Sequence, residues 1–212
     1  MMRVLVLGGH GKVALLLAPL LTERGDEVTA VIRNPDHAPE VAATGAVPLV
    51  MDLEAGDDLS GALAGQDAVV WSAGAGGGSR ERTYAVDRDA AIRSMTAARD
   101  AGVDRYVMLS WIGSTPEHGV DSDSDFFAYA DAKLAADDHL RGTDLRWTIL
   151  GPGTLTLDPP TGGIELDPEG DGRVSRADVA AVIAQTLVDD ATLGRFIRFG
   201  AGDTPIAEAL SA

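Results

Sequence analysis

A short apolar run, Arg3 to Leu7 (RVLVL), leads directly into Gly8-Gly9-His10-Gly11 and then into an apolar stretch from Lys12 to Arg24. This order of strand, glycines and helix constrains the fold more than any other feature of the chain. Valine and leucine without polar alternation suit a strand buried on both faces, as in a parallel sheet. Glycines after such a strand let the backbone turn sharply and bring a ligand against the main chain. The helix stops at Gly25-Asp26, and Glu27 to Ile32 (EVTAVI) reads as a second strand. The unit spans about 30 residues, the size of a βαβ unit.

The alternation continues along the chain. Asp36 to Ala43 reads as a weak helix, Val47 to Val50 as a third strand and Asp57 to Leu63 as a short helix. Ala68 to Trp71 is a fourth strand, followed by a loop of Gly, Ala and Ser from Ser72 to Ser79. Tyr84 to Ala101 is a long helix closed by Gly102. Arg105 to Leu109 and Arg146 to Leu150 are the fifth and sixth strands, with a helix from Ala128 to Arg141 between them. Arg176 to Val188 is a helix opened by Ser175, a favoured N-cap residue, and Phe196 to Phe199 is a last strand. Strands alternating with helices imply an α/β fold, a mainly parallel sheet with helices on both faces. The length of 212 residues suits a single domain. Two irregular stretches, 111–127 and 151–174, follow strand carboxyl ends, where open α/β sheets bind ligands. They are expected to be substrate loops.

Charge narrows the partners. There are 33 acidic and 17 basic residues, a net charge of −16, so nucleic acid and an anionic membrane are not expected. The chain has no cysteine, which removes disulfides and thiolate chemistry. His10, His37, His118 and His139 have no metal-ligand spacing. Asp121, Asp123 and Asp125 alternate with serine but lack the glycine and distal glutamate of a calcium loop. Val13 to Leu21 is interrupted by Pro19 and is too short to span a bilayer. A cytoplasmic monomer or homodimer acting on a small molecule is expected.

Gly9-His10-Gly11-Lys12-Val13-Ala14 fits the spacing G-x-G-x-x-G/A, and Gly8, Gly11 and Ala14 fit G-x-x-G-x-x-A equally well. Either register places backbone N–H groups and a helix N-terminus against a pyrophosphate. His10 and Lys12, within this loop, are candidate contacts. An NAD-preferring site carries an acid about 20 residues further on, against the ribose hydroxyls. Here the sequence is Val31-Ile32-Arg33-Asn34, and the Arg33 guanidinium suits a 2′-phosphate. NADP is therefore expected over NAD. Asp52-Leu53 follows the third strand and offers a carboxylate to an adenine amino group. Ser72, Ala73 and Gly74 follow the fourth, where small residues let phosphates and ribose lie on the backbone.

Tyr129 and Lys133, at i and i+4, share one face of a helix. The 17 basic residues comprise 15 Arg and two Lys, and one of those two follows this tyrosine by one turn. An ammonium beside a phenol favours the phenolate, and such a tyrosine can exchange the proton that balances hydride transfer. Lys133 can also hold the nicotinamide ribose. Ser110, at the end of the fifth strand, is a candidate to orient a substrate carbonyl, with Ser114 a second.

Together with Val86-Asp87, the run Ala97 to Arg105, Leu150-Gly151-Pro152-Gly153 and Ser175 to Ala180, these motifs resemble the atypical short-chain dehydrogenase/reductase families. The resemblance covers about residues 2–205. It is similar in particular to small NmrA-like regulators, to flavin/biliverdin reductase B and to NAD-dependent epimerase/dehydratase proteins. It implies a Rossmann fold with strand order 3-2-1-4-5-6 that binds NADP, with Val13, Pro152 and Gly153 among the cofactor contacts. It further implies reduction of a small carbonyl, quinone or flavin-like acceptor. Three positions depart from the pattern: Gly151 where arginine is usual, Ala14 in place of the third glycine, and Trp111 where a small residue is common. An NADP(H)-sensing protein without turnover and a sugar-nucleotide epimerase or dehydratase are the alternative readings.

Overall fold

The computed structural model describes residues 1–211. Six strands form the first part of the sheet: β1 (Arg3–Leu7), β2 (Glu27–Ile32), β3 (Val47–Val50), β4 (Ala68–Trp71), β5 (Arg105–Leu109) and β6 (Arg146–Pro152). Further on lie β7 (Leu155–Thr156), β8 (Gly163–Leu166), β9 (Val174–Ser175), β10 (Phe196–Ala201) and β11 (Thr204–Pro205). The main sheet runs β11-β8-β10-β6-β5-β4-β1-β2-β3. Every pair from β3 across to β10 is parallel, and only β8 pairs antiparallel, with β10 and β11. The order 3-2-1-4-5-6 is borne out.

The central strands carry apolar residues on both faces because both are covered. Val4 and Val6 point to one core, with Leu17 and Leu21 of helix α1 (Ala14–Glu23) and Val179 and Ile183 of a later helix. Leu5 and Leu7 point to the other, with Met95 and Ala98 and, further along, Ala136 and Leu140. Val4 to Leu7 are at most 1% exposed. Each such side chain contributes about 1.5–3 kcal/mol by leaving water. The remaining helices are α2 (Ala38–Ala42), α3 (Ser60–Leu63), α4 (Arg80–Thr83), α5 (Ala91–Asp100), α6 (Phe127–Arg141), α7 (Arg176–Thr186) and α8 (Ile206–Leu210).

Three local features differ from the sequence expectations. The first helix starts at Ala14 rather than Lys12, because Gly8 to Val13 are spent on turns. The helix expected over Tyr84 to Ala101 starts earlier, at Arg80, where the Ser79 hydroxyl caps the Arg82 N–H. Its middle, Tyr84–Ala90, is a π-helical turn between α4 and α5. The stretch 151–174 is not all loop, since β8 lies inside the main sheet and β7 pairs with β9. Asp178 at the start of α7 ties this region down. It is 1% exposed and accepts hydrogen bonds from the Thr161 and Gly162 N–H groups and from the Ser175 hydroxyl. Ser175 in turn caps α7 through the Asp178 N–H, as its residue type implies. Among the described residues no helix is long and apolar enough to cross a membrane, and no cluster of three metal-ligating side chains occurs.

Candidate functional site

A cleft of about 310 Å³ opens at the carboxyl ends of β1, β2, β3 and β4. Its floor is backbone. Gly8 has φ +90°, and a Cβ there would lie 2.5 Å from Ala73 Cα. A Cβ on Gly11 would lie 3.1 Å from the Gly8 carbonyl oxygen. Gly9 instead faces β2, where a Cβ would meet that of Ala30 at 2.5 Å. Gly8 and Gly11 line the cleft and Gly9 does not, which matches the G-x-x-G-x-x-A spacing.

Of the expected cofactor contacts, Gly8, His10, Gly11, Arg33, Asp52, Leu53, Ser72, Ala73 and Gly74 line this one cleft. Lys12, Val13, Lys133, Pro152 and Gly153 do not. Val13 is 5% exposed within the core, and the Pro152 carbonyl accepts from the Ile112 N–H at 2.9 Å. The cleft fits a dinucleotide: its floor lacks side chains, and the ten-residue helix α1 starts just behind the glycines.

The rim is charged. One Glu54 carboxylate oxygen accepts from the Arg33 guanidinium at 3.0 Å and from Arg82 Nε at 3.0 Å. Arg82 also donates to the Ala75 and Gly77 carbonyls, which fixes the glycine-rich loop after β4. One Asp52 carboxylate oxygen is engaged in a turn, accepting from the Glu54 and Ala55 N–H groups at 2.9 and 3.2 Å. The His10 ring stacks on His37 with centroids 3.6 Å apart, and its Nε2 lies 2.7 Å from a Glu40 carboxylate oxygen.

Helix α6 presents Tyr129, Lys133 and Asp137 at i, i+4 and i+8, so all three lie along one face. Lys133 is 1% exposed, and its Nζ donates to the Leu109 carbonyl at the end of β5 at 2.8 Å. Asp137 is fully buried. One of its oxygens accepts from the Ser110 hydroxyl and, at 2.6 Å, from the Ser114 hydroxyl. Its other oxygen is without a hydrogen-bond partner among the described residues. Asp87, in the π turn, is 1% exposed and accepts from the Ala75 N–H at 2.9 Å.

Burial dominates the ionisation of this group. It pushes Lys133 below the usual ammonium range and raises both Asp87 and Asp137, while the opposite charges partly offset each shift. The Tyr129 phenol is pushed up by burial, and further by the Asp87 and Asp137 carboxylates. This is opposite to the expectation that Lys133 would favour the phenolate. The lysine is bonded to the Leu109 carbonyl, and the phenol stays protonated at neutral pH.

Tyr129 is half-buried beside two other aromatic rings, with Phe126 at 5.1 Å and Trp111 at 6.5 Å. Two of the departures from the family pattern meet here. A Cβ on Gly151 would lie 2.6 Å from the Phe196 ring and 3.1 Å from the Trp111 carbonyl oxygen, so the usual arginine has no room.

Glu54, Arg82 and Asp137 were not among the residues singled out from sequence, and Asp87 entered only within a motif of the resemblance, with no role given to it. Asp137 repeats the Tyr129–Lys133 spacing once more and was readable on that ground. The other three reach the site from distant elements, and no spacing rule links them to it.

Comparison with known proteins agrees with the geometry. Residues 8–190 match the NAD(P)H-binding family. The chain is 32% identical to the uncharacterized sugar epimerase YhfK of Bacillus subtilis, covering 99% of both chains. A Bacillus halodurans structure provisionally described as an NAD-dependent epimerase/dehydratase superposes with a TM-score of 0.92, at 36% identity and 99% coverage of each chain. The oxidoreductase ylbE of Lactococcus lactis superposes at 0.86, with 31% identity, 99% of this chain and 95% of that one. The chain belongs to the NAD(P)H-binding family, in keeping with the resemblance its motifs carry.

Proposed function

We propose that this protein is an NADP(H)-dependent oxidoreductase that reduces a small carbonyl, quinone or flavin-like acceptor. The observation that supports the reductive direction is the half-buried setting of Tyr129, on the α6 face it shares with Lys133 and Asp137, where burial and the Asp87 and Asp137 carboxylates keep the phenol protonated. A phenol kept protonated cannot serve as a base at neutral pH, but it can donate a proton to a carbonyl oxygen being reduced. The nicotinamide, when bound, supplies the hydride. Ser110 already donates its hydroxyl proton to Asp137, so it is left as an acceptor, and orienting the carbonyl falls to Tyr129. Lys133 serves as a positioning residue that holds the Leu109 carbonyl below the site. Gly8, Gly11, Ser72, Ala73 and Gly74 form the backbone cradle, and Arg33 supports NADP because a guanidinium suits a 2′-phosphate.

A second reading, an NADP(H) sensor without turnover, is favoured by one observation. Lys133 is engaged on a backbone carbonyl and not on Tyr129. The names of the Bacillus relatives add a third, epimerisation or dehydration of a sugar nucleotide, which tightly held and non-exchanging NAD in the purified protein would favour. Thermal shift with NADP and with NAD is the first test, since a ligand stabilises by about 2.7 kcal/mol at a hundredfold excess over Kd. No shift with either cofactor, in protein shown by its absorbance to carry no bound nucleotide, sinks all three readings, and a larger shift with NAD sinks the role of Arg33. NADPH oxidation is then followed with aldehydes, quinones and free flavin. Turnover that depends on Tyr129 supports the reductase, and binding without oxidation across the panel assigns the sensor.

A further inference from the structure

Two guanidiniums from separate elements, Arg33 at the end of β2 and Arg82 on α4, converge on a single oxygen of Glu54, each at 3.0 Å. All three side chains line the cleft. Two cations sharing one carboxylate oxygen is the arrangement that a phosphate seat presents, with the carboxylate in the place of the anion. We infer that Glu54 sets the choice between NADP and NAD by competing with the 2′-phosphate for the Arg33 guanidinium, and that Arg82 is a second cation of that seat. This rests on the dinucleotide reading of the cleft given above.

The three groups differ in freedom. Arg82 is also tied to the Ala75 and Gly77 carbonyls, so it stays in place. The Arg33 side chain is 57% exposed and has no hydrogen-bond partner other than Glu54 among the described residues, so it can turn to a ligand. Glu54 follows Asp52 in a side-chain-capped turn that keeps it at the rim. A phosphate brings three acceptor oxygens and more negative charge than a carboxylate, so it draws Arg33 away from Glu54 and engages Arg82 where it stands. The displaced carboxylate remains close by and repels it. A ribose bearing a free 2′-hydroxyl meets no such penalty, because a hydroxyl can donate to the carboxylate. An acid thus faces the ribose end of the cleft after all. It comes from the turn after β3, outside the window after β2 where the sequence rule looks for it.

The test is isothermal titration of the whole protein with NADP⁺ and with NAD⁺, for the wild type and for Glu54→Gln. The expected result is NADP⁺ binding about tenfold tighter in the variant, the effect of one partly screened charge, with NAD⁺ binding unchanged or weaker. Glu54→Ser, with the same expectation, serves if glutamine disturbs the turn, and melting temperature without cofactor checks that each variant is folded. Equal affinity for NADP⁺ in wild type and variants, or a parallel gain for both cofactors, overturns the inference while leaving the cofactor reading intact. A wild type that binds neither cofactor overturns both, and shows it before any variant is made.

Discussion

Lys133 is a fully buried cation, and its partners explain its effect better than its spacing from Tyr129 does. Its ammonium is bonded to the Leu109 carbonyl and shares its burial with the carboxylates of Asp87 and Asp137. Removing one member of such a group leaves uncompensated charge in the interior, so Lys133→Met is expected to cost about 3–5 kcal/mol. The cost depends on pH. Both aspartates have folded-state values raised above their unfolded ones, so what they contribute is fully present below the unfolded value and is lost as pH rises through the folded value. Without the lysine that loss grows, and the deficit of the variant is expected to widen between about pH 4 and pH 8. Urea unfolding at both ends of that range measures it, and a deficit independent of pH would remove the electrostatic account. Tyr129→Phe removes the proposed proton donor and keeps the ring beside Phe126 and Trp111. It is expected to lower kcat at least about a hundredfold while the Kd for NADP stays the same. An equal loss of cofactor affinity would reassign Tyr129 to binding. The pair Tyr129 and Lys133 was legible because a spacing of four on a helix is a local fact. Asp137 continued that spacing, but an acid in a helix ordinarily reads as a solvated face. Asp87 is 46 positions from Lys133 in the chain, and only the packing of the π turn against α6 joins them.

At the level of elements, α7 shows how a helix start can hold a distant loop. The Ser175 hydroxyl caps the helix, and the Asp178 carboxylate reaches back to the Thr161 and Gly162 N–H groups before β8. Ser175→Ala is expected to cost about 1 kcal/mol, the usual worth of an N-cap. Asp178→Ala is expected to cost more, about 2 kcal/mol, because it leaves the buried Ser175 hydroxyl and the Thr161 and Gly162 N–H groups without their acceptor. It should also raise amide exchange at Thr161 and Gly162 well above that in β10. Equal costs for the two variants would mean that the loop anchor contributes little. This region was the least legible part of the fold. The strands β1 to β6 are read as apolar runs that need no partner to be recognised. The strands β7, β9 and β11 have two residues each, and their pairing comes from partners distant in sequence. The π turn was hidden for a related reason. Its residues Tyr84–Ala90 are ordinary helix formers, and the turn places the buried Asp87 where it receives the Ala75 N–H.

The whole molecule carries a net charge of −16 and belongs to a family that binds an anionic cofactor. The average field therefore opposes binding, and attraction comes from cations fixed close to the cleft. The observed placement of Arg33 and Arg82 on its rim agrees with that requirement. The same surplus charge acts on stability. Exposed ion pairs between sequence neighbours, such as Arg88 with Asp89 and Arg99 with Asp100, relieve little of the long-range repulsion. Compacting the chain brings the unpaired carboxylates together, and mobile ions reduce that cost once the Debye length falls to about 10 Å, near 0.1 M salt. Melting temperature is therefore expected to rise by about 2–4 °C between roughly 0.02 and 0.2 M NaCl, equivalent to about 1 kcal/mol for a chain of this size. Exposed ion pairs weaken over the same range and pull the other way, so the sign of the change reports which effect is larger. An equal rise in KCl would identify screening rather than a specific ion as the cause. A flat or falling melting temperature in both salts would show that the surplus acids are already neutralised by local pairing, and that the repulsion inferred from the sequence total does not act on the folded chain.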